Sequence, residues 1–341
     1  MPKSASATKL NLTIGLLNAE NLFLLFDQVL PKNYLKLEEP QWQKLSQSVF
    51  DNKPLFKTIH IAQTIQKMNV DILQLTEVGG LESLKNLNTY FLNDEYSPIL
   101  IEGNSDRTID VGFLIRKSST FYFDLMTHKN RSIDFLYPHE RLSKKTNYPP
   151  TLISHKMSRD CAELRLFKKD VNKPFLILLL THLKSPLDPE RIDPAGRERR
   201  TAELKTCVNI YNELKTEFPK CPILLSGDFN GNASKTNTES EFTDIYLKTD
   251  LIDVLEIANF PIEQRSTFVQ IKSGQRTDSR QIDYCFVPEI IKNNLLLTSA
   301  KVFEYQDEFG SNLKRPETLE QKMALPSDHY PIVFSLENVS F

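Results

Sequence analysis

The stretch Pro222 to Asn232, PILLSGDFNGN, constrains this chain more than any other. Its apolar run, Pro222 to Leu225, is short and bounded by turn residues, the pattern of a buried strand. Gly227 is expected to let the backbone swing out of the sheet, since glycine enters conformations that other residues resist. Asp228 and Asn230 then stand at the C-terminal end of the strand, a carboxylate and an amide held at the rim of a sheet. Taken alone, GDFN has a plainer meaning, a strand followed by an Asx turn. That meaning loses ground because other strands of this chain end the same way.

Leu10 to Leu17 alternates loosely between apolar and polar residues and breaks into Asn18-Ala19-Glu20-Asn21. Leu55, Ile59, Ala62, Ile65 and Met68 follow the spacing of an amphipathic helix. The next strand, Val70 to Glu77, ends on a carboxylate, and Gly79-Gly80 stops it before a helix around Leu81 to Leu92. Thr108 to Arg116 reads as a strand with Asp110 near its start, and Thr120 to Leu125 is expected to pair with it. Cys161 to Phe167 and Phe175 to Leu180 are strands; the second is wholly apolar, hence central, and ends in Thr181-His182. A helix is expected over Arg199 to Leu214 and a helical segment over Phe242 to Ala258. Gln281 to Val287 is a strand with Asp283 inside it, and Asp328-His329 immediately precedes a final strand.

Strands follow strands as often as they alternate with helices, so a mixed-sheet α/β layer structure fits better than a purely parallel one. No repeat or composition break divides the chain. Residues 1–341 are therefore read as a single domain, with 1–9 as a tail and 27–56 and 128–159 as surface excursions. Apolar residues make up 40% and charged residues 25%, enough to bury a core and to exclude a disordered chain. A net charge of −2 gives no global basic field. The four cysteines are far apart with no C-x-x-C pair, so neither a disulfide framework nor a zinc knuckle is expected. No apolar signal region and no membrane-length apolar run is found, and the chain reads as a cytoplasmic monomer.

Asn18, Glu77, His182, Asp228, Asn230, Asp328 and His329 all lie where an apolar strand meets a turn, with Asp110 and Asp283 within or beside strands. Each alone has a dull explanation: a lone carboxylate is usually solvated and a lone histidine usually structural. Together they are the inventory for a hard metal and acid–base chemistry on phosphate. The segments LLNAENLF, ILQLTEV, RTIDVGFLI, THLKSP, LLSGDFNGN, QIDYCFV and PSDHYPIVF, in this order over about residues 12 to 336, resemble the endonuclease/exonuclease/phosphatase superfamily, the deoxyribonuclease-I-like fold.

The resemblance implies two packed mixed β-sheets flanked by helices, a four-layer αββα sandwich with its site at one end. It implies a divalent-metal-dependent phosphoesterase using Mg²⁺ or Mn²⁺, with Ca²⁺ an alternative. Glu77 is similar to the metal-binding glutamate, Asn18 to the asparagine that supports it, and Asp328 to an aspartate at the metal or behind it. His329 resembles the catalytic histidine, with Asp283 holding its imidazole protonated. Asp228 matches the residue that orients or deprotonates the attacking water, and Asn230 a donor to the phosphoryl oxygens or to Asp228. His182 matches a second histidine that stabilises the pentacovalent phosphate, and Asp110, on a looser motif, its carboxylate partner. Asn21 is read as structural.

The expected reaction is in-line attack of water on phosphorus by a nuclease or related phosphodiesterase. The alternatives are a phosphomonoesterase acting on inositol-phosphate or sugar-phosphate substrates, and a catalytically inactive binding module on the same fold. Nucleic acid is favoured over small inositol phosphates as the partner, with Arg107, Arg159 and Arg200 at the substrate. Two basic clusters, His139, Arg141, Lys144, Lys145, His155, Lys156 and Arg159, and Arg191, Arg197, Arg199 and Arg200, would flank the rim. Asp228, Asn230, Asn232 and Glu239 also occupy calcium-loop positions. However, Ala233 stands where that loop needs glycine and a strand precedes it, so this reading is set aside.

Overall fold

In the computed structural model, which describes residues 9–142, 154–168, 170–272 and 276–340, the apolar runs become strands of two six-stranded sheets. The first sheet uses β1 (Lys9–Leu22), β2 (Ile72–Val78), β3 (Tyr96–Leu100) and β4 (Asp110–Arg116). The second uses β5 (Tyr122–Met126), β6 (Cys161–Phe167), β7 (Leu176–His182), β8 (Ile223–Asp228) and β9 (Leu251–Asp253). β10 (Phe268–Lys272) and β11 (Arg276–Arg280) form a separate hairpin, β12 (Asp283–Pro288) returns to the second sheet, and β13 (Lys301–Val302) and β14 (Ile332–Ser340) complete the first. The strand orders are β13-β14-β1-β2-β4-β3 and β5-β6-β7-β8-β12-β9.

Alternation along the strands sends one set of side chains between the sheets and the other outward. Ile14, Leu16, Ile72 and Phe113 of the first sheet share a core with Leu164, Leu178, Leu224 and Cys285 of the second. The outer face of the first sheet is covered by α1 (Glu39–Gln43), α2 (Leu55–Met68) and α3 (Gly80–Phe91). The outer face of the second packs under α5 (Arg197–Glu217) and α6 (Thr243–Lys248), the short α4 (Pro138–Leu142) lying before them in the chain. Two further short helices, α7 (Val254–Ile257) and α8 (Leu319–Met323), follow. This is the two-sheet, helix-flanked α/β sandwich that the resemblance implied, and its mixed sheets agree with the strand pattern. β7, apolar through Leu180, is central in its sheet, as expected.

Four local expectations change. Residues 122–126 pair with β6 of the second sheet rather than with β4, because the chain crosses between sheets after Arg116. The segment expected to be helical over 242–258 is broken by β9, whose Leu251 is buried beside β12. The excursion 27–56 is not merely superficial. It buries Trp42 completely, edge-on to Phe26 and Phe91, with the indole N–H donating to the Lys53 carbonyl at 3.0 Å. The described part of 128–159 likewise inserts Ile133, Phe135, Tyr137 and Met157 into the core under α5.

β9 carries a fully buried carboxyl, Asp253, which caps α7 by accepting the Leu255 N–H at 3.3 Å and accepts the Gln281 amide at 2.8 Å. Burial pushes its pKa from 3.8 up to about 7, only partly offset by Gln281. A raised carboxyl pKa means the native state holds more protons than the unfolded chain, so stability falls as pH rises through that window and levels off above it. Asp253→Asn is expected to be more stable than wild type at pH 8, with the difference closing toward pH 4. Urea unfolding across that range measures it, and a gap independent of pH would contradict it.

Candidate active site

Two parallel pairs bring four candidate side chains, Asn18, Glu77, His182 and Asp228, to one end of the sandwich. β1 and β2 run parallel with Asn18 opposite Thr76, and β7 and β8 run parallel with His182 opposite Asp228. The two sheets meet through the Asn18 amide, whose Nδ2 donates to Asp228 Oδ2 at 2.9 Å. β12 is antiparallel to β8, so its first residue, Asp283, lies directly across from Asp228. β14 is antiparallel to β1, which brings the residues just before it, Asp328 and His329, to the same end.

Asp228 is 1% exposed and accepts the Asn230 backbone N–H on Oδ1 at 2.8 Å. Two imidazoles face its other oxygen, His182 Nε2 at 3.6 Å and His329 Nε2 at 4.0 Å. His329 Nδ1–H donates to Asp283 Oδ2 at 2.8 Å. Glu77 accepts the Asn21 N–H on Oε2 at 3.1 Å and leaves Oε1 3.9 Å from His182 Nε2. Glu77 and Asn230 both adopt left-handed backbone conformations, φ 59° and 53°. Such conformations are uncommon for these residues, and surrounding structure must hold them. Gly227 is not the turn residue the sequence suggested: it lies within β8, and the turn is made by Asn230.

The environments push the two histidines apart. Burial opposes charge on His329, but Asp283, Asp328 and Asp228 outweigh it and hold the imidazole protonated well above its usual range. Burial, reinforced by Arg159, His329 and Arg107, drives His182 well below its usual range, so it is neutral. Burial and the facing Asp283 push Asp228 up toward the range in which a carboxylate accepts a proton readily. Asp328 is held below its usual range despite burial, by His329 and by Lys322, whose ammonium lies 3.3 Å from Asp328 Oδ2.

Some sequence expectations fail at this site. Asp110 is not the partner of His182. Its Oδ1 accepts the Gly103 N–H at 2.7 Å in a neighbouring pocket, while His182 Nδ1 is buried without a hydrogen-bond partner among the described residues. Arg200 cannot reach substrate, because its guanidinium is spent inside the fold on the carbonyls of Lys184 and Ala195 and on Glu241 at 2.7 Å. Arg197 and Arg199 are paired with Glu241 and Glu203, and His155 with Glu140. Of the second cluster, Arg199 and Arg200 are thus held in internal ion pairs while Arg197 is mostly exposed, and Lys144 and Lys145 of the first lie outside the described residues. The Asn230 amide donates to the Leu183 carbonyl at 3.1 Å instead of to Asp228, which receives the backbone N–H. Arg159, only 6% exposed, and Arg107, which donates to Asn21 Oδ1 at 2.7 Å, do lie close enough to bias His182.

Four residues that sequence reasoning missed brace the site. The Ser327 hydroxyl donates to the Asn18 carbonyl at 2.7 Å and accepts the His329 N–H at 3.1 Å. Thr267 Oγ1 accepts the N–H groups of Ile282 and Asp283, both at 3.1 Å. The Phe268 ring lies 4.9 Å from the His329 imidazole, and Lys322 Nζ sits 3.7 Å from the Phe268 ring centre. Ser327 is visible within PSDHYP; Thr267, Phe268 and Lys322 have no signal in the sequence.

The donor set suits a hard divalent ion. One ligand atom each from Glu77, His182 and Asp228 lies within 4.8 Å of the others. Glu77 Oε1 carries no hydrogen bond among the described residues, and carboxylate oxygens are the preferred ligands of Mg²⁺ and Mn²⁺.

No protein-family model and no curated protein matches the sequence. Solved structures do match. An endonuclease/exonuclease/phosphatase family protein from Bacteroides thetaiotaomicron aligns at 19% identity over 98% of this chain and 97% of its own, with a TM-score of 0.55. D. rerio TDP2 complexed with a single-strand DNA product aligns at 14% identity over 95% and 98%, TM-score 0.54. The human Nocturnin catalytic domain with bound sulfate aligns at 15% identity over 97% and 95%, TM-score 0.54. With two mixed sheets in this order and likenesses that span nearly the whole chain, the protein has the deoxyribonuclease-I-like fold of the endonuclease/exonuclease/phosphatase superfamily.

Proposed function

We propose that this chain is a divalent-metal-dependent phosphodiesterase of nuclease type. The observation that carries the reading is one buried carboxylate, Asp228, faced by a neutral and a protonated histidine at the joined ends of both sheets. Environments that push two like groups apart mark the acid and the base of a site. Asp228, raised toward neutrality and fixed by Asn18 and the Asn230 N–H, orients the attacking water and takes its proton as the oxygen–phosphorus bond forms. His329, held cationic by Asp283, opposes the negative charge that grows on the phosphoryl oxygens while the bond to the leaving oxygen breaks. His182 presents a neutral imidazole to the same oxygens, and Arg159 and Arg107 add positive charge behind it. Glu77, with Asp228 near it, would hold Mg²⁺ or Mn²⁺, which when bound supplies Lewis-acid polarisation of a phosphoryl oxygen. No side chain needs to become covalently attached.

Nucleic acid is favoured as substrate because a like-folded protein, D. rerio TDP2, is known in complex with a single-strand DNA product. Hydrolysis of bis-p-nitrophenyl phosphate with Mg²⁺ or Mn²⁺ tests the reading, with p-nitrophenyl phosphate as the monoester comparison. Diester turnover abolished by EDTA is expected, together with cleavage of a single-stranded oligonucleotide that weakens steeply between low and moderate salt. Turnover of the monoester alone would replace the reading with a phosphomonoesterase, and no turnover of either would leave a binding module.

A further inference from the structure

Beside the catalytic end lies a cavity of about 230 Å³ that the proposed chemistry does not use. It is smaller than the roughly 300–1,000 Å³ of drug-sized sites, a size for one planar ring system rather than an extended ligand. One wall is aromatic: Phe23 and Phe50 stack with ring centres 4.6 Å apart and planes within 6°. Phe23 is buried at 7% exposure while Phe50 is only half-buried, which leaves the outer ring open to a further stacking partner. The lining is also acidic, with Glu102 and Asp110 in it. Asp110 uses Oδ1 for the Gly103 N–H, and the Glu102 carboxylate makes no hydrogen bond or ion pair among the described residues.

The cavity adjoins the catalytic end, with Gly103 in its lining against the backbone of Arg159. Gly79 and Gly80, which line it, follow the metal-site Glu77 by two and three residues. A side chain at Gly79 would collide with Phe23 at 2.2 Å, so the close approach of strand end and ring depends on this glycine. Asn21 donates its N–H to Glu77 and accepts from Arg107, tying both to the stretch between the phosphate-binding charges and the Thr108 rim of the cavity.

We infer that this cavity binds a nucleobase of the substrate next to the scissile phosphate, and that it selects guanine. The inference rests on the phosphodiesterase reading above. A base stacks on the Phe50–Phe23 pair without regard to sequence, since every base has a π-face. Selection comes from the acidic lining. Carboxylates accept hydrogen bonds only, so they favour an edge rich in donors. Guanine offers two adjacent N–H groups on one edge, matched to the two oxygens of a carboxylate. Thymine and uracil offer one N–H between two carbonyls, which a carboxylate repels.

Two measurements test it. The first is calorimetric binding of GMP and TMP, without turnover, to wild type, Phe50→Ala and Glu102→Gln. The second is hydrolysis of the p-nitrophenyl esters of the same two nucleotides against bis-p-nitrophenyl phosphate. GMP is expected to bind about tenfold tighter than TMP. Phe50→Ala should weaken both nucleotides by roughly 5–150-fold, the range of one base–aromatic stack, and leave bis-p-nitrophenyl phosphate turnover unchanged. Glu102→Gln should erase the guanine preference while keeping the stack. Equal binding of GMP and TMP by wild type, or loss of the bare diester in step with the nucleotides in Phe50→Ala, overturns the subsite. Absence of diester turnover with the binding preference intact would overturn the catalytic reading alone.

Discussion

Asp228→Asn is expected to reduce phosphodiester turnover by at least about 10²-fold, the low end of what a positioned acid–base group contributes, without lowering the melting temperature. Both halves follow from the same burial. The carboxylate is 1% exposed and stands across β8 and β12 from a second buried carboxylate, Asp283. Like charges placed opposite one another in a sheet destabilise it, and removing one relieves that repulsion. Asparagine keeps the shape and can still accept the Asn230 N–H, though it sets amide against amide at Asn18, a loss of about 1 kcal/mol. An amide cannot take a proton from water. Retention of more than a tenth of wild-type activity would remove Asp228 from the role proposed for it. His329→Ala is a less discriminating variant, because it strands the Asp283 charge inside the fold and damages stability together with activity.

Gly227→Ala is expected to be the most damaging single-methyl change in the described core. An added Cβ would lie 1.9 Å from the Thr181 carbonyl oxygen and 2.8 Å from its carbon, and φ is +149°, outside the range L residues favour. The obstacle is backbone of the neighbouring strand β7, not a side chain that can rotate away, so relief requires the central strands to separate. A loss of more than about 4 kcal/mol, near the extreme for point changes, and a sharp fall in soluble yield are expected. Gly310→Ala supplies the comparison. Its φ is +83° with nothing within 4 Å of the added atom, so only the backbone preference is lost, about 1 kcal/mol. Chemical denaturation of the two variants side by side measures the difference. A Gly227→Ala protein as stable as Gly310→Ala would show that β7 and β8 can part at little cost.

The glycine also marks a limit of sequence reasoning. SGD was legible as a place where side-chain bulk is unwelcome, yet the expected cause was a turn and the actual one is strand-to-strand contact. Asp110 and Arg200 failed for a related reason. Each has the residue type the chemistry wants, but Asp110 faces the cavity beside Phe23 and Arg200 is consumed by Glu241. The bracing of His329 by Phe268 and Lys322 was invisible, because neither residue belongs to a strand-end pattern.

By itself the sequence determined that this chain forms a layered α/β structure, and it pointed to Asn18, Glu77, His182, Asp228, Asp283, Asp328 and His329 as a set. Apolar periodicity and the switch from apolar to polar residues at a strand's end are local properties, written in neighbouring letters. Tertiary structure alone decided that residues 122–126 belong to the second sheet, that Trp42 is core, and which charges confront one another. Strand pairing and burial join residues separated by up to hundreds of positions, such as Ser327 and Asn18. The protonation of His182 and His329 is set by those encounters rather than by residue type.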